Sequence, residues 1–153
     1  MILTLLLLAT QVPTGEEPVS PYAQANANAG ARPLASDAAF QAFHGRAGID
    51  RIVDDFTVRN VADPRIGDIF KGQDMVRFRR VLKEHFCYVL GGGCVYTGRT
   101  MKDAHKDMGL QTADMGALVE NLQVAMNAEG VPFAAQNRFL AKLAPIKRDV
   151  VER

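Results

Sequence analysis

From Ser36 to the C-terminus the apolar positions recur at helical spacing. Ile49, Ile52, Val53, Phe56 and Asn60 line one face of a helix. Asp63-Pro64 ends it, because proline lacks the amide hydrogen and restricts the residue before it. A short segment from Ile66 to Phe70 follows, closed by Lys71-Gly72. Met75, Phe78, Leu82, Phe86 and Val89 make a second stripe, with Val81 and His85 beside it and Arg77, Arg79, Arg80 and Lys83 mostly on the other sides. Gly91-Gly92-Gly93 stops that helix, and a turn-rich connector from Cys94 to Thr100 leads into a short helix carrying Met101 and His105. Thr112 is the expected N-cap of the next helix, with Met115, Leu118, Val119, Leu122 and Met126 as its core face and Gly130 as its stop. Pro132 suits the first turn of a last helix, whose apolar positions are Phe133, Phe139, Leu140 and Leu143 and which Pro145 breaks. No stretch alternates with the period of a strand, so the expected fold is all-α. Its helices are too unequal in length for a simple four-helix bundle.

Residues 1–35 follow a different pattern. The run Ile2-Leu3-Thr4-Leu5-Leu6-Leu7-Leu8-Ala9 is far short of the ~20 residues that span a bilayer. It resembles the core of a secretory signal, although no Lys or Arg precedes it and the small-residue pattern Ala25-Asn26-Ala27 is distant. The segment reads as a truncated signal or a disordered tail, with the fold beginning near Ser36. A signal places the protein in the periplasm or outside the cell; without one it stays in the cytoplasm.

The chain has 153 residues, 48% hydrophobic and 23% charged, with a formal net charge of +1. That balance suits one domain with a real core and argues against a dedicated nucleic-acid surface. The bases between Arg77 and Lys83 lie on one half-buried helix beside Glu84, a weak footprint for nucleic acid. The glycine triplet is no phosphate loop, since no Gly-Lys-Ser/Thr follows it. Cys87 and Cys94 do not have the spacing of a zinc site. In an exported chain they form a disulfide across the glycine turn; inside the cell they are two thiols.

His105 carries the candidate chemistry. Met101 and His105 are four apart, so the imidazole points where the methionine points, on a face that is otherwise apolar. A histidine there is either satisfied by a neighbouring carbonyl or is a ligand for something buried.

Several pieces of the chain run in a familiar order: Gly48-Ile49 through Val53-Asp54-Asp55-Phe56; Ala62-Asp63-Pro64-Arg65; Phe70-Lys71-Gly72; Gly91-Gly92; Tyr96-Thr97-Gly98; Met101-Lys102-x-x-His105; Gly130-Val131-Pro132; and Ala144-Pro145. Over residues 45–150 they make the chain resemble the group I truncated haemoglobins, short globins that pack a two-over-two helical sandwich around haem. The resemblance implies a truncated globin domain over residues 36–153 and non-covalent haem b. It puts the proximal iron ligand on His105, the haem-stacking phenylalanine on Phe70, and the apolar lining on Phe86, Met101, Leu110, Leu118 and Leu143. Arg77 offers a cation for the haem propionates, although a solvated helix face explains that arginine as well. Neither cysteine belongs to Cys-x-x-Cys-His, so c-type attachment is not expected.

The departures fall on the distal side. Where many members of the family carry a hydrogen-bonding tyrosine, this chain has Thr57, and where a glutamine is frequent it has Leu82. Phe78 takes the position facing the iron. His85 shares the face of Phe78 and Leu82, so it reaches toward the iron or, as the preferred reading, points to solvent at the pocket edge. The family's double glycine is reduced to His44-Gly45, and its Gly-Gly-Pro appears as Gly91-Gly92-Gly93. The resemblance implies reversible binding of a diatomic gas (O2, NO or CO). A haem enzyme for NO dioxygenation or peroxide chemistry, drawing on an external reductant, is the alternative. A haem-free helical interaction module is a third reading.

Overall fold

The structure, a computed structural model, describes residues 12–152. Among these residues there are seven α-helices and short 3-10 turns, with no strand. The helices are α1 (Ala38–Ala42), α2 (Gly45–Ala62), α3 (Met75–Val89), α4 (Met101–Ala104), α5 (Thr112–Ala128), α6 (Phe133–Leu143) and α7 (Lys147–Val150). The chain is all-α, and α2 packs on both α3 and α5. No described helix is long and apolar enough to cross a membrane. The apolar run Ile2 to Ala9 lies outside the described residues.

The core is built from the stripes. Ile49, Ile52 and Val53 of α2 are essentially fully buried, as are Val89, Leu90 and Met126. Phe139 of α6 joins the layers, edge-on to Phe43 at 5.3 Å and to Phe86 at 4.8 Å. The segment Ile66 to Phe70 appears as a 3-10 turn over Gly67–Phe70. α5 begins at Thr112 with Gln111 as its N-cap, in a capping box with Asp114, one residue earlier than the expected cap. Pro145 acts as its ring requires: α6 stops at Leu143, and a 3-10 turn carries the chain into α7. Phe133, expected on the core face of α6, is 73% exposed. Six residues separate it from Phe139, so it points about 120° away from the buried side at 100° per residue.

The spacing did not announce α1. The turn into α2 puts His44 and Gly45 both in the left-handed region, at φ 61° and 65°. Glycine adopts that geometry freely and histidine at a cost. Glu129, at the end of α5, pins the strained corner: its carboxylate accepts from Arg51 and lies 3.0 Å from His44 Nδ1. Arg51 first and His44 second hold Glu129 down at about 2.

Residues before the expected start near Ser36 also bond to the helices. Ala29 is fully buried, and the amide of Leu34 donates to the Val89 carbonyl at the end of α3. Earlier residues also bond to α3 and to the loop after it: Glu17 to Asp74, Tyr22 to Thr97, and Asn26 to Tyr96. This strap lacks an apolar period because polar side chains and backbone groups, rather than a stripe, attach it. Cys87 and Cys94 are joined by a disulfide across the glycine turn, with Cα atoms 5.7 Å apart.

Candidate functional site

Two walls define the site. One is α3, running from Phe78 through Leu82 to His85. The other is the segment from Tyr96 to Leu110, which carries α4 and His105. Thr100 caps α4 by accepting from the Asp103 amide, so the helix starts at Met101 and ends after a single turn at Ala104, with His105 as its C-cap.

That short helix sets the chemistry of His105. Its Nδ1 lies 2.7 Å from the Met101 carbonyl, which only accepts, so Nδ1 carries the proton and donates. Nε2 therefore bears a lone pair, and among the described residues no protein atom bonds to it. Burial holds the pKa of the ring below its usual value, opposed by the Met101 carbonyl, which favours the neutral imidazole. A neutral ring with one nitrogen fixed by a carbonyl and the other free is the arrangement of a metal-ligating histidine.

The apolar side chains of Met101, Met108, Leu118, Leu143, Phe70, Phe78 and Leu82 are only half-buried. Phe70 meets Phe78 edge-on at 5.5 Å. Met101, Met108 and Leu143 pack on a second cluster formed by Leu110, Ile146 and Val150, and Leu82, Leu118 and Leu143 pack on the main one. Half-buried side chains between two clusters suit a flat apolar ligand. Phe86 lies deeper, 3% exposed against Phe139, and belongs to the core as much as to this surface. Two open clefts, one lined by Asp63, Phe70 and Lys71 and one beside Arg32, Arg138 and Lys142, do not include His105. The residues present fit haem, with one free imidazole nitrogen for the iron and an apolar surface for the ring.

The distal residues divide. Thr57 is 1% exposed and its hydroxyl donates to the Val53 carbonyl one turn back, at 2.7 Å. The hydroxyl's one hydrogen is thereby committed. His85 follows neither reading given above. It is 5% exposed, so it does not point to solvent, and its Nε2 donates to the Ala29 carbonyl at 2.8 Å, so that nitrogen serves the strap. Burial lowers its pKa, and the Tyr96 ring packs on it edge-on at 5.4 Å. The sequence reading missed the partner because Ala29 lies in the segment read as a tail.

Arg77 is not a free cation at the mouth either. Its guanidinium donates to the Tyr22 hydroxyl at 2.7 Å and lies 3.5 Å from the Glu16 carboxylate. Arg80 binds Glu16 and Glu84, and Glu84 accepts from both the amide and the hydroxyl of Thr97. Tyr96, whose hydroxyl donates to the Arg99 carbonyl, is pushed up to about 12 by burial. Glu16, Tyr22 and Arg99 were not singled out by sequence, and Arg80 was read only as one of the bases on the polar side of its helix.

A family model for bacterial-like globins matches residues 38–152. The group 1 truncated haemoglobin GlbN of Mycolicibacterium paratuberculosis is 31% identical over 106 residues, which are 69% of this chain and 78% of that protein. GlbN of a Synechocystis species is 32% identical over 120 residues, 74% of this chain and 97% of that one. The crystal structure of the truncated haemoglobin of Tetrahymena pyriformis in its Fe(III) form superposes with a TM-score of 0.72 at 27% identity, covering 75% of this chain and 98% of that one. A 2/2 haemoglobin from a Synechococcus species, solved with covalently attached haem, gives 0.70 at 26% identity, covering 75% and 98%. With an all-helical fold, a family match over residues 38–152 and relatives 31–32% identical, the chain belongs to the group I truncated haemoglobins.

Proposed function

We propose that the protein holds non-covalent haem b by His105 Nε2 and binds a diatomic gas reversibly. The observation that carries this reading is the fixed tautomer: the Met101 carbonyl holds the proton on Nδ1 and leaves Nε2 as a neutral donor. The haem supplies a ferrous iron able to take up O2, NO or CO. The chain's own residues do the rest. Met101 orients the ring of His105, Phe70 and Phe78 flank the apolar surface, and Leu82, Leu118 and Leu143 keep water from it. The distal positions Thr57, Phe78 and Leu82 offer no free acid or base, since the Thr57 hydroxyl is held by the Val53 carbonyl, and this favours ligand binding over turnover. The Cys87–Cys94 bond supports a place in an oxidising compartment, the periplasm or outside the cell.

Absorption spectra of the reduced, oxidised and CO-bound protein test the haem, and His105→Ala tests its ligand. The variant should lose the coordinated spectrum of the reduced protein; an unchanged spectrum would show that another group holds the iron.

A further inference from the structure

The strap crosses the site where its two walls part, and one side chain there touches both. Tyr22 donates its hydroxyl hydrogen to the Thr97 carbonyl at 2.6 Å, on the loop leading to α4. The same oxygen accepts from Arg77 of α3 at 2.7 Å. The guanidiniums of Arg77 and Arg99 lie 5.7 Å and 5.2 Å from the centre of its ring, one from each wall. On either side the strap is fastened by polar contacts: Glu16 to Arg80, Asn26 to the Tyr96 amide, Asn28 to the Gly98 carbonyl, and the Ala29 carbonyl to His85.

The charges at this edge are unevenly paired. Arg77 and Arg80 are paired with Glu16 and Glu84, and the capping carboxylate of Asp74 adds a further negative charge beside Arg77, whereas Arg99 is paired with none of them. The Glu16 side chain is 1% exposed and sits between Arg80 and Arg77, and Glu84 sits on Arg80. Among the described residues Arg99 has no carboxylate partner; its guanidinium donates only to the Ser20 carbonyl, at 3.3 Å. A guanidinium stacked on an aromatic ring keeps its edge free for a carboxylate.

We propose that Tyr22, bridging Arg77 and Arg99, makes the N-terminal strap a clasp for the carboxylate-bearing edge of the porphyrin. Arg99 supplies the uncompensated cation, and Tyr22 ties the loop before α4 to α3 so that the edge is gripped from both walls. The clasp acts on retention of the cofactor and leaves the iron ligand alone. It rests on the haem reading above.

Hemin transfer from the full-length ferric protein to excess apomyoglobin tests it, with Tyr22→Ala, Tyr22→Phe and Arg99→Gln beside the parent, each also loaded with hemin dimethyl ester. Tyr22→Ala and Arg99→Gln should release hemin about tenfold faster, the worth of one charge-assisted contact. Tyr22→Phe keeps the ring and loses the bridge, so it should fall between. The dimethyl ester, having no carboxylates, should leave the parent faster than hemin and respond little to either substitution. Should Tyr22→Ala fail to fold, Tyr22→Phe and Arg99→Gln decide the matter. Equal release from parent and variants overturns the clasp, and so does an equal acceleration for hemin and its ester. A parent that takes up no hemin overturns the haem reading itself, and the clasp with it.

Discussion

The hydroxyl of Thr57 has one hydrogen, and the Val53 carbonyl holds it. A donor beside the gas favours O2 over CO, because O2 draws more charge onto its outer atom. Such a charge-assisted bond in a dry pocket is worth about 1.5–3 kcal/mol, roughly 10- to 150-fold in release rate. Thr57→Val should therefore leave O2 release unchanged, while Thr57→Tyr should slow it and affect CO much less. Displacement of O2 by CO in a stopped-flow instrument reads both, and faster O2 loss from Thr57→Val would show that the hydroxyl does face the ligand. His85 makes a different kind of prediction. Burial holds its pKa below the ordinary 6.5, with the Ala29 carbonyl opposing. Below about pH 6.5 the unfolded chain takes up a proton that the native ring refuses, so stability falls with pH until the native pKa is reached. His85→Gln keeps a donor for Ala29 and removes the titration. Its urea midpoint should fall less between pH 7 and 5 than that of the parent apoprotein; equal slopes would place the acid sensitivity elsewhere.

At the scale of elements, α3 carries most of the specialisation. Its inner side joins the core through Phe86 and Val89, its middle supplies Phe78 and Leu82 to the site, and its polar side holds the strap through Arg77 and Arg80. Both ends are tied. Asp74 accepts from the Arg77 amide at the start, and the disulfide fastens Cys87, near the end, to the loop that precedes α4. Closing so short a loop is worth about 2.5 kcal/mol on chain entropy. Cys87→Ser with Cys94→Ser should lower unfolding stability by about that amount, read by urea denaturation, and thiol counting on unreduced protein from an exported fraction should find no free thiol. Two alkylatable thiols there would remove the disulfide from the native state. Gly92 explains why glycine serves at this turn: a Cβ would come within 2.8 Å of the Cys87 sulfur and 2.5 Å of the Phe40 ring.

For the whole molecule, folding and cofactor binding are linked. If haem lies against the half-buried side chains of the site, as proposed, they gain apolar cover on binding. A ligand at a thousand times its Kd adds about 4.1 kcal/mol, which in a domain of this size raises Tm by on the order of 10 °C. Thermal scans of the apoprotein with and without excess hemin check this. An unchanged Tm would mean that the apolar surface between α3 and α4 closes on itself.

Each long helix could be read from the sequence because its signal is local. The stripes of α2, α3 and α5 need only neighbours three and four residues apart, and Asp63-Pro64, Gly130 and Pro145 act on their own backbone. His105 was legible for the same reason, since Met101, four residues before it, supplies both the shared face and the carbonyl that fixes its proton. The strap was not legible. Its bonds join residues more than fifty positions apart: Tyr22 to Arg77, Tyr22 to Thr97, His85 to Ala29, Glu16 to Arg80. No period marks a segment attached through carbonyls and single polar side chains. The place of His85 and Arg77 therefore depended on where residues 13–31 lie, and only the packed chain decides that. Phe133 makes the converse case: its apolar side chain suggested burial, but its angular position on α6 put it in solvent. Contacts within one turn made the long helices and the iron-binding candidate legible from the residues alone, while short α1 was not. The tertiary structure decided which polar groups were already engaged, because those partners are neighbours in space alone.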